Sequence, residues 1–231
     1  MDDGARAPRA PQAEKGDEMT SKALVLAAVL GSLALATSAV AAIVDGTAGD
    51  DRLRGTANAD VIRAFDGNDR VGARNGNDLV RAGMGDDTVW GDAGSDILFG
   101  GVGNDRIGGG YGDDVVWAGS GSDSVHGGPG VDELHGGTGD DKVTGGYGDD
   151  RLWAGAGTDV VRGGPGDDTL HALAADGNPD TLDCGPGHDT AKVRQSERST
   201  TTIRGCEVIV VVVTPSADDD AAEADRDADA D

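Results

Sequence analysis

Three stretches of the chain read almost as one another: GGVGNDRIG at 100–108, GGYGDDVVW at 109–117 and GGYGDDRLW at 145–153. Stepping outward from them in nines gives fourteen consecutive units without a gap, from Gly46 to His171. Position six is Asp in every unit: Asp51, Asp60, Asp69, Asp78, Asp87, Asp96, Asp105, Asp114, Asp123, Asp132, Asp141, Asp150, Asp159 and Asp168. Position eight is Leu, Ile or Val in all fourteen, from Leu53 to Leu170. Position four is Gly in thirteen, Asn58 being the exception, and position one is always Gly or Ala. A fixed period of this length marks an architecture in which each unit buries its apolar face only against its neighbours.

Each constant position has a physical task. Glycine at positions one, two and four permits positive φ, so the chain can turn tightly and aim carbonyls inward. The residues around position eight then form a short strand, with position eight facing one way and positions seven and nine the other. One turn and one strand reverse the chain, so two units, eighteen residues, close one coil. The expected fold is all-β: a flattened, right-handed parallel β-roll with position eight filling its interior and the loops stacked along two edges.

With these residues in place, the sequence resembles the RTX, or haemolysin-type, calcium-binding repeat GGxGxDxUx. The resemblance covers residues 46–171 and, less closely, 175–192. It implies a β-roll that binds Ca2+ between stacked loops through the position-six Asp residues and glycine-loop carbonyls. The first four units lack the second glycine, with Thr47, Thr56, Phe65 and Arg74 there, which weakens the expectation of ion sites at that end. After His171 the residues 172–174 interrupt the count. Two degenerate units follow, with Asp180 and Asp189 in the sixth place and Leu182 and Ala191 in the eighth. Val208 to Val213, six β-branched residues in a row, read as a buried strand. Residues 172–213 are thus expected to be degenerate repeats forming a cap over the open end of the roll.

Composition agrees with a conditional fold. Leu, Ile, Val and Phe number 43, about 19% of 231 residues, and the net charge is −24, a combination that describes a disordered chain. Acids outnumber bases 43 to 19, which argues against nucleic acid and for a hard cation. In a roll, Asp96 would lie between Asp78 and Asp114 at about 4.8 Å. Unit charges at that distance repel by about 0.9 kcal/mol in water and about 3.5 kcal/mol at an effective dielectric of 20. Summed over the neighbouring pairs of both edges this is on the order of 10 to 40 kcal/mol as an upper bound, against the roughly 5 to 15 kcal/mol by which domains are stable. Ca2+ suits the gap: it takes six to eight oxygens, mixes carboxylates with carbonyls and tolerates irregular geometry, whereas Mg2+ demands a tight octahedron. Seven loops on each edge leave six gaps each, hence up to about twelve ions. The additional acids at position five, among them Asp50, Asp86, Asp113 and Asp140, are irregular and read as solvated surface.

The two outer faces differ. One carries Phe99, Trp117, His135, Trp153 and His171 at position nine, spaced by eighteen. Such a column is either cross-strand packing or a platform for a glycan or another cell-surface component. The other face carries Arg52, Arg70, Arg106 and Lys142 at position seven, with Arg54 and Arg162 at position nine. His126, His135 and His171 have no companion at metal-ligand spacing.

The remaining segments bear on location. Lys22 precedes the apolar run Ala23 to Leu35, and Ala39-Val40-Ala41 fits a signal-peptidase site, so residues 1–41 read as an extension and an export signal leading to a secreted protein. An apolar core of about 13 residues is short for a membrane span. Residues 1–18 are acidic where a signal should be basic, and Met19 offers an alternative start. Cys184 and Cys206, an even pair in an oxidising compartment, are expected to form one disulfide; a two-cysteine metal site would lack any CxxC spacing. Residues 214–231 read as an acidic, solvated tail. No HExxH, GxSxG or Walker pattern occurs, so the expected role is a non-catalytic calcium-binding module, or alternatively a calcium-dependent adhesin using the aromatic face.

Overall fold

The computed structural model describes residues 41–174 and 176–213. The expected export segment and acidic tail lie outside these residues.

Nineteen short strands alternate between two parallel sheets. One sheet has ten strands, running from Ile43–Asp45 to Val208–Val212, and the other has nine, from Arg52–Arg54 to Thr202–Arg204. Sequence neighbours never pair. Each strand pairs with the strand one coil away, so the register advances by eighteen, as in Ile62↔Val80, Leu98↔Val116 and Leu134↔Leu152. The result is a parallel β-solenoid without helix among the described residues, and no helix there could cross a membrane.

The core is one residue wide. Position-eight side chains from Ile62 to Leu170 are 0–3% exposed and stack into a continuous ladder with Leu182 and Ala191. Alternation along the strand brings position one to the same side, and Ala64, Ala73, Ala82, Ala118 and Ala154 are wholly buried there. In the middle of the roll the strands run for six residues, from position seven through position three of the next unit, as in Val115–Ser120. They are longer than the brief strand expected around position eight alone.

Positive φ falls at positions two and four, not at position one. Gly110 (119°) and Gly112 (122°) show the pattern within one loop. At position two, Phe65 (74°), Arg74 (84°) and Asp92 (73°) adopt the same left-handed conformation without being glycine. Position one is small for a steric reason. A β-carbon on Gly109 would collide with the Asp114 carboxylate of its own loop.

Beyond His171 the solenoid continues. Residues 172–174 enter as a bulge in the spacing, and the register widens to twenty-one for Val161↔Leu182 and Leu170↔Ala191. The segment expected as a cap therefore extends both sheets. Its last strand, Val208–Val212, corrects the expectation of burial: Val208, Ile209 and Val210 are 51%, 41% and 40% exposed. Burial requires a further layer, and among the described residues no coil follows this one.

Candidate metal sites along the two edges

The position-six carboxylates turn inward at the loops, and from Asp60 to Asp168 they are 1–3% exposed. Each is tied to its neighbour one coil on. The main-chain N–H of Asp78 donates to Oδ1 of Asp96 at 2.8 Å, that of Asp96 to Asp114 at 2.8 Å and that of Asp114 to Asp132 at 2.9 Å. The carbonyl of the same residue accepts from the next coil, as in Val115 N–H to Asp96 at 2.8 Å. Oδ1 is thus committed to the backbone ladder.

Oδ2 is not. In Asp69, Asp78, Asp87, Asp96, Asp105, Asp114, Asp132, Asp141, Asp150, Asp159 and Asp168 this oxygen is buried without a hydrogen-bond partner. Buried carboxylate oxygens are normally satisfied, and a repeated exception calls for a ligand. Beside the Oδ2 atoms of Asp96, Asp105, Asp132, Asp141, Asp150 and Asp168 lies a main-chain carbonyl. The position where a β-carbon of Gly145 would sit is flanked by Oδ2 of Asp150 and, at 2.7 Å, by the carbonyl of Gly163 one coil on. Among the described residues no three His, Cys, Asp or Glu side chains converge. A cation here would be held by carboxylate and main-chain oxygens, a donor set suited to a hard ion and wrong for a soft one.

Electrostatics point the same way. Burial pushes the carboxyls of Asp105, Asp114, Asp150 and Asp159 up to about 7 and that of Asp141 to about 8, from an ordinary 3.8. The ladder N–H opposes this rise and neighbouring carboxylates add to it. Loss of water is the larger effect. The cost of the stack therefore comes first from desolvation and only then from the charge repulsion that the sequence implies. A site that disfavours a bare carboxylate is filled by a proton or a cation.

The first two loops differ. Thr47 donates to Oδ2 of Asp51 from its N–H at 2.6 Å and its hydroxyl at 2.8 Å. Thr56 likewise donates its N–H to Oδ2 of Asp60 at 2.5 Å and its hydroxyl to Oδ1 at 3.0 Å. Threonine at position two satisfies these carboxylates internally.

The family model of the RTX calcium-binding nonapeptide repeat (4 copies) matches the chain at residues 45–80, 72–107, 99–134, 108–143, 135–170 and 159–191. The chain belongs to this RTX calcium-binding repeat family. No curated protein matches the chain.

The position-five side chains of the RTX roll are exposed, as expected of solvated surface, and they also form a second ladder. Position-five Asn and Asp side chains accept from the N–H of position five one coil later: Asp86 to Asn68 at 2.8 Å, Asn104 to Asp86 at 2.8 Å and Ser122 to Asn104 at 2.8 Å. It runs opposite in direction to the position-six ladder. Nine of the fourteen fifth positions are Asp or Asn, a signal that becomes visible once the two acceptors are counted together. The position-six ladder also outlasts the repeats. Asp159 and Asp168 donate to Asp180 and Asp189, and Asp189 donates to Oε2 of Glu207 at 2.7 Å. Glu207 lies eighteen residues after Asp189, so the period marks it even though its residue type departs from the pattern.

The aromatic column assembles as a stack. Ring centroids of Phe99–Trp117, Trp117–His135, His135–Trp153 and Trp153–His171 are 4.9, 5.5, 4.3 and 4.6 Å apart, with planes within 22°. Arg81 covers the outer face of the Phe99 ring at 5.3 Å, and Nε2 of His135 meets Oε1 of Glu133 at 3.1 Å. The ring faces meet one another, which is the geometry of cross-strand packing. Cys184 and Cys206 form a disulfide that joins the last two coils.

Proposed function

We propose that this RTX protein is an exported, non-catalytic scaffold whose roll folds when Ca2+ enters the gaps along its two edges. The observation that carries the reading is the row of buried, unpartnered Oδ2 atoms from Asp69 to Asp168, Asp123 set aside, with a main-chain carbonyl beside those of Asp96, Asp105, Asp132, Asp141, Asp150 and Asp168. A bound Ca2+ would supply the positive charge that those oxygens lack and bridge loops of successive coils. Asp69, Asp78, Asp87, Asp96, Asp105, Asp114, Asp123, Asp132, Asp141, Asp150, Asp159 and Asp168 are the proposed ligands. Asp51 and Asp60, already satisfied by threonine, are the weakest candidates.

Circular dichroism of the chain from residue 42 onward, titrated with Ca2+ at pH 7.5 after chelation, tests this. The expected result is a disordered spectrum that converts cooperatively to β at about 0.1 to 1 mM, the range of extracellular calcium modules, with Mg2+ ineffective. A β spectrum that persists unchanged in chelator would overturn it.

A further inference from the structure

The basic face of the nine-stranded sheet contains a cleft of about 500 Å³ at the N-terminal end, and nothing in the calcium reading uses it. Its construction follows from the register. In the position-nine column Arg54 pairs with Gly72, Gly72 with Trp90 and Trp90 with Gly108. The Trp90 ring lies over Gly108, where a β-carbon would come within 2.5 Å of Cε3 and Cζ3. Above Gly72 there is nothing within 4 Å. A slot one side chain wide therefore opens between Arg54 and Trp90, two strand spacings or about 10 Å across.

Its walls have a definite chemistry. Arg52 and Arg70 are direct cross-strand partners beside the slot, and like charges so placed destabilise a sheet. Among the described residues none of Arg52, Arg54 and Arg70 forms an ion pair. Three unpaired guanidinium groups together on a chain of net charge −24 call for an anion. Trp90 is 51% exposed and adds an apolar wall. Asp92, held at φ 73° at position two, adds an acceptor.

We propose that this slot binds an acidic sugar unit of a carboxylated glycan. The guanidinium groups take the carboxylate, Asp92 accepts from hydroxyls, and Trp90 covers the apolar face of the sugar ring. A simple inorganic anion would use neither Trp90 nor Asp92. The site requires the folded roll, so in solution it rests on the calcium reading.

The test is calorimetric titration with trigalacturonate at saturating Ca2+, after circular dichroism has shown the β-roll to be formed. Failure to fold would count against the calcium reading, and a folded roll without binding against this one. Saturable binding is expected. The methyl-esterified trisaccharide and inorganic sulfate should bind at least about tenfold more weakly, and Arg70→Gln and Trp90→Ala should each weaken binding by about tenfold or more. Arg204→Gln, on the same face at the far end, should leave it unchanged. Absence of saturable binding, equal affinity for sulfate, or undiminished affinity in a calcium-folded Trp90→Ala variant would each overturn the proposal.

Discussion

The main-chain N–H of Asp96 donates to Oδ1 of Asp114 at 2.8 Å, while Oδ2 of Asp114 stays buried and unpartnered. One carboxylate thus has two separable tasks: Oδ1 sets the register between coils, and Oδ2 faces the gap.

Asp114→Asn separates them. The amide oxygen preserves the acceptor for Asp96 and removes the charge. A carboxyl held at about 7 against an ordinary 3.8 costs at most about 4 kcal/mol when ionised, and less where solvent screens it. The variant should therefore stabilise the metal-free roll by up to a few kcal/mol at pH 8, while losing calcium from its own loop. Equilibrium dialysis gives the ion count and urea titration in chelator the stability.

Acid should partly replace calcium. The folded carboxyls titrate at about 6 to 8, for example Asp96 at about 6 and Asp141 at about 8, above the 3.8 of the unfolded chain. The folded state therefore binds more protons, and stability falls as pH rises. In chelator, the β signal should be strongest near pH 4 and fade as pH climbs through 6 to 8. Calcium affinity should change in the opposite sense, since protons compete for the same oxygens. A spectrum in chelator that is flat from pH 4 to 8 would refute the burial of these groups.

Position two offers a stabilising substitution. Arg74 holds a φ of 84°, a region that costs an L-residue about 1 to 2 kcal/mol. Arg74→Gly should gain about 0.5 to 1 kcal/mol net of the greater unfolded-chain freedom of glycine, or about 2 °C in Tm. Gly110→Ala should do the reverse, because its φ of 119° is joined by a collision with the Asp92 carbonyl. Melting curves in excess calcium compare the two.

Trp117 and Trp153 each touch two ring neighbours in the column. Replacing either by Ala should cost about 1 to 3 kcal/mol in lost ring contacts, beyond the area uncovered. The calcium count should be unchanged, because the column lies on an outer face and the ion gaps on the edges. Thermal melts read the first effect and equilibrium dialysis the second.

The period alone made Asp114 and Val116 legible, since carboxylate and aliphatic recur at fixed places and a solenoid gives each place one environment. The cause of the small residue at Gly109 was not legible, because it depends on where the Asp114 carboxylate lies in space. The position-five ladder is masked in the sequence because Asp86, Asn68 and Asn104 do the same work with different residue types. Val208 to Val212 announced a strand correctly, but a run of β-branched residues states a backbone preference and says nothing of what covers it. The slot at Gly72 was hidden for a related reason: a missing side chain matters only between particular neighbours, here Arg54 and Trp90.

The register of eighteen has a mechanical side. Ten stacked strands span roughly 40 Å, whereas the same residues pulled straight, with the disulfide loop left out, would reach more than about 450 Å at about 3.3 Å each. On the proposed coupling, ambient calcium selects between a short stiff rod and a long slack tether.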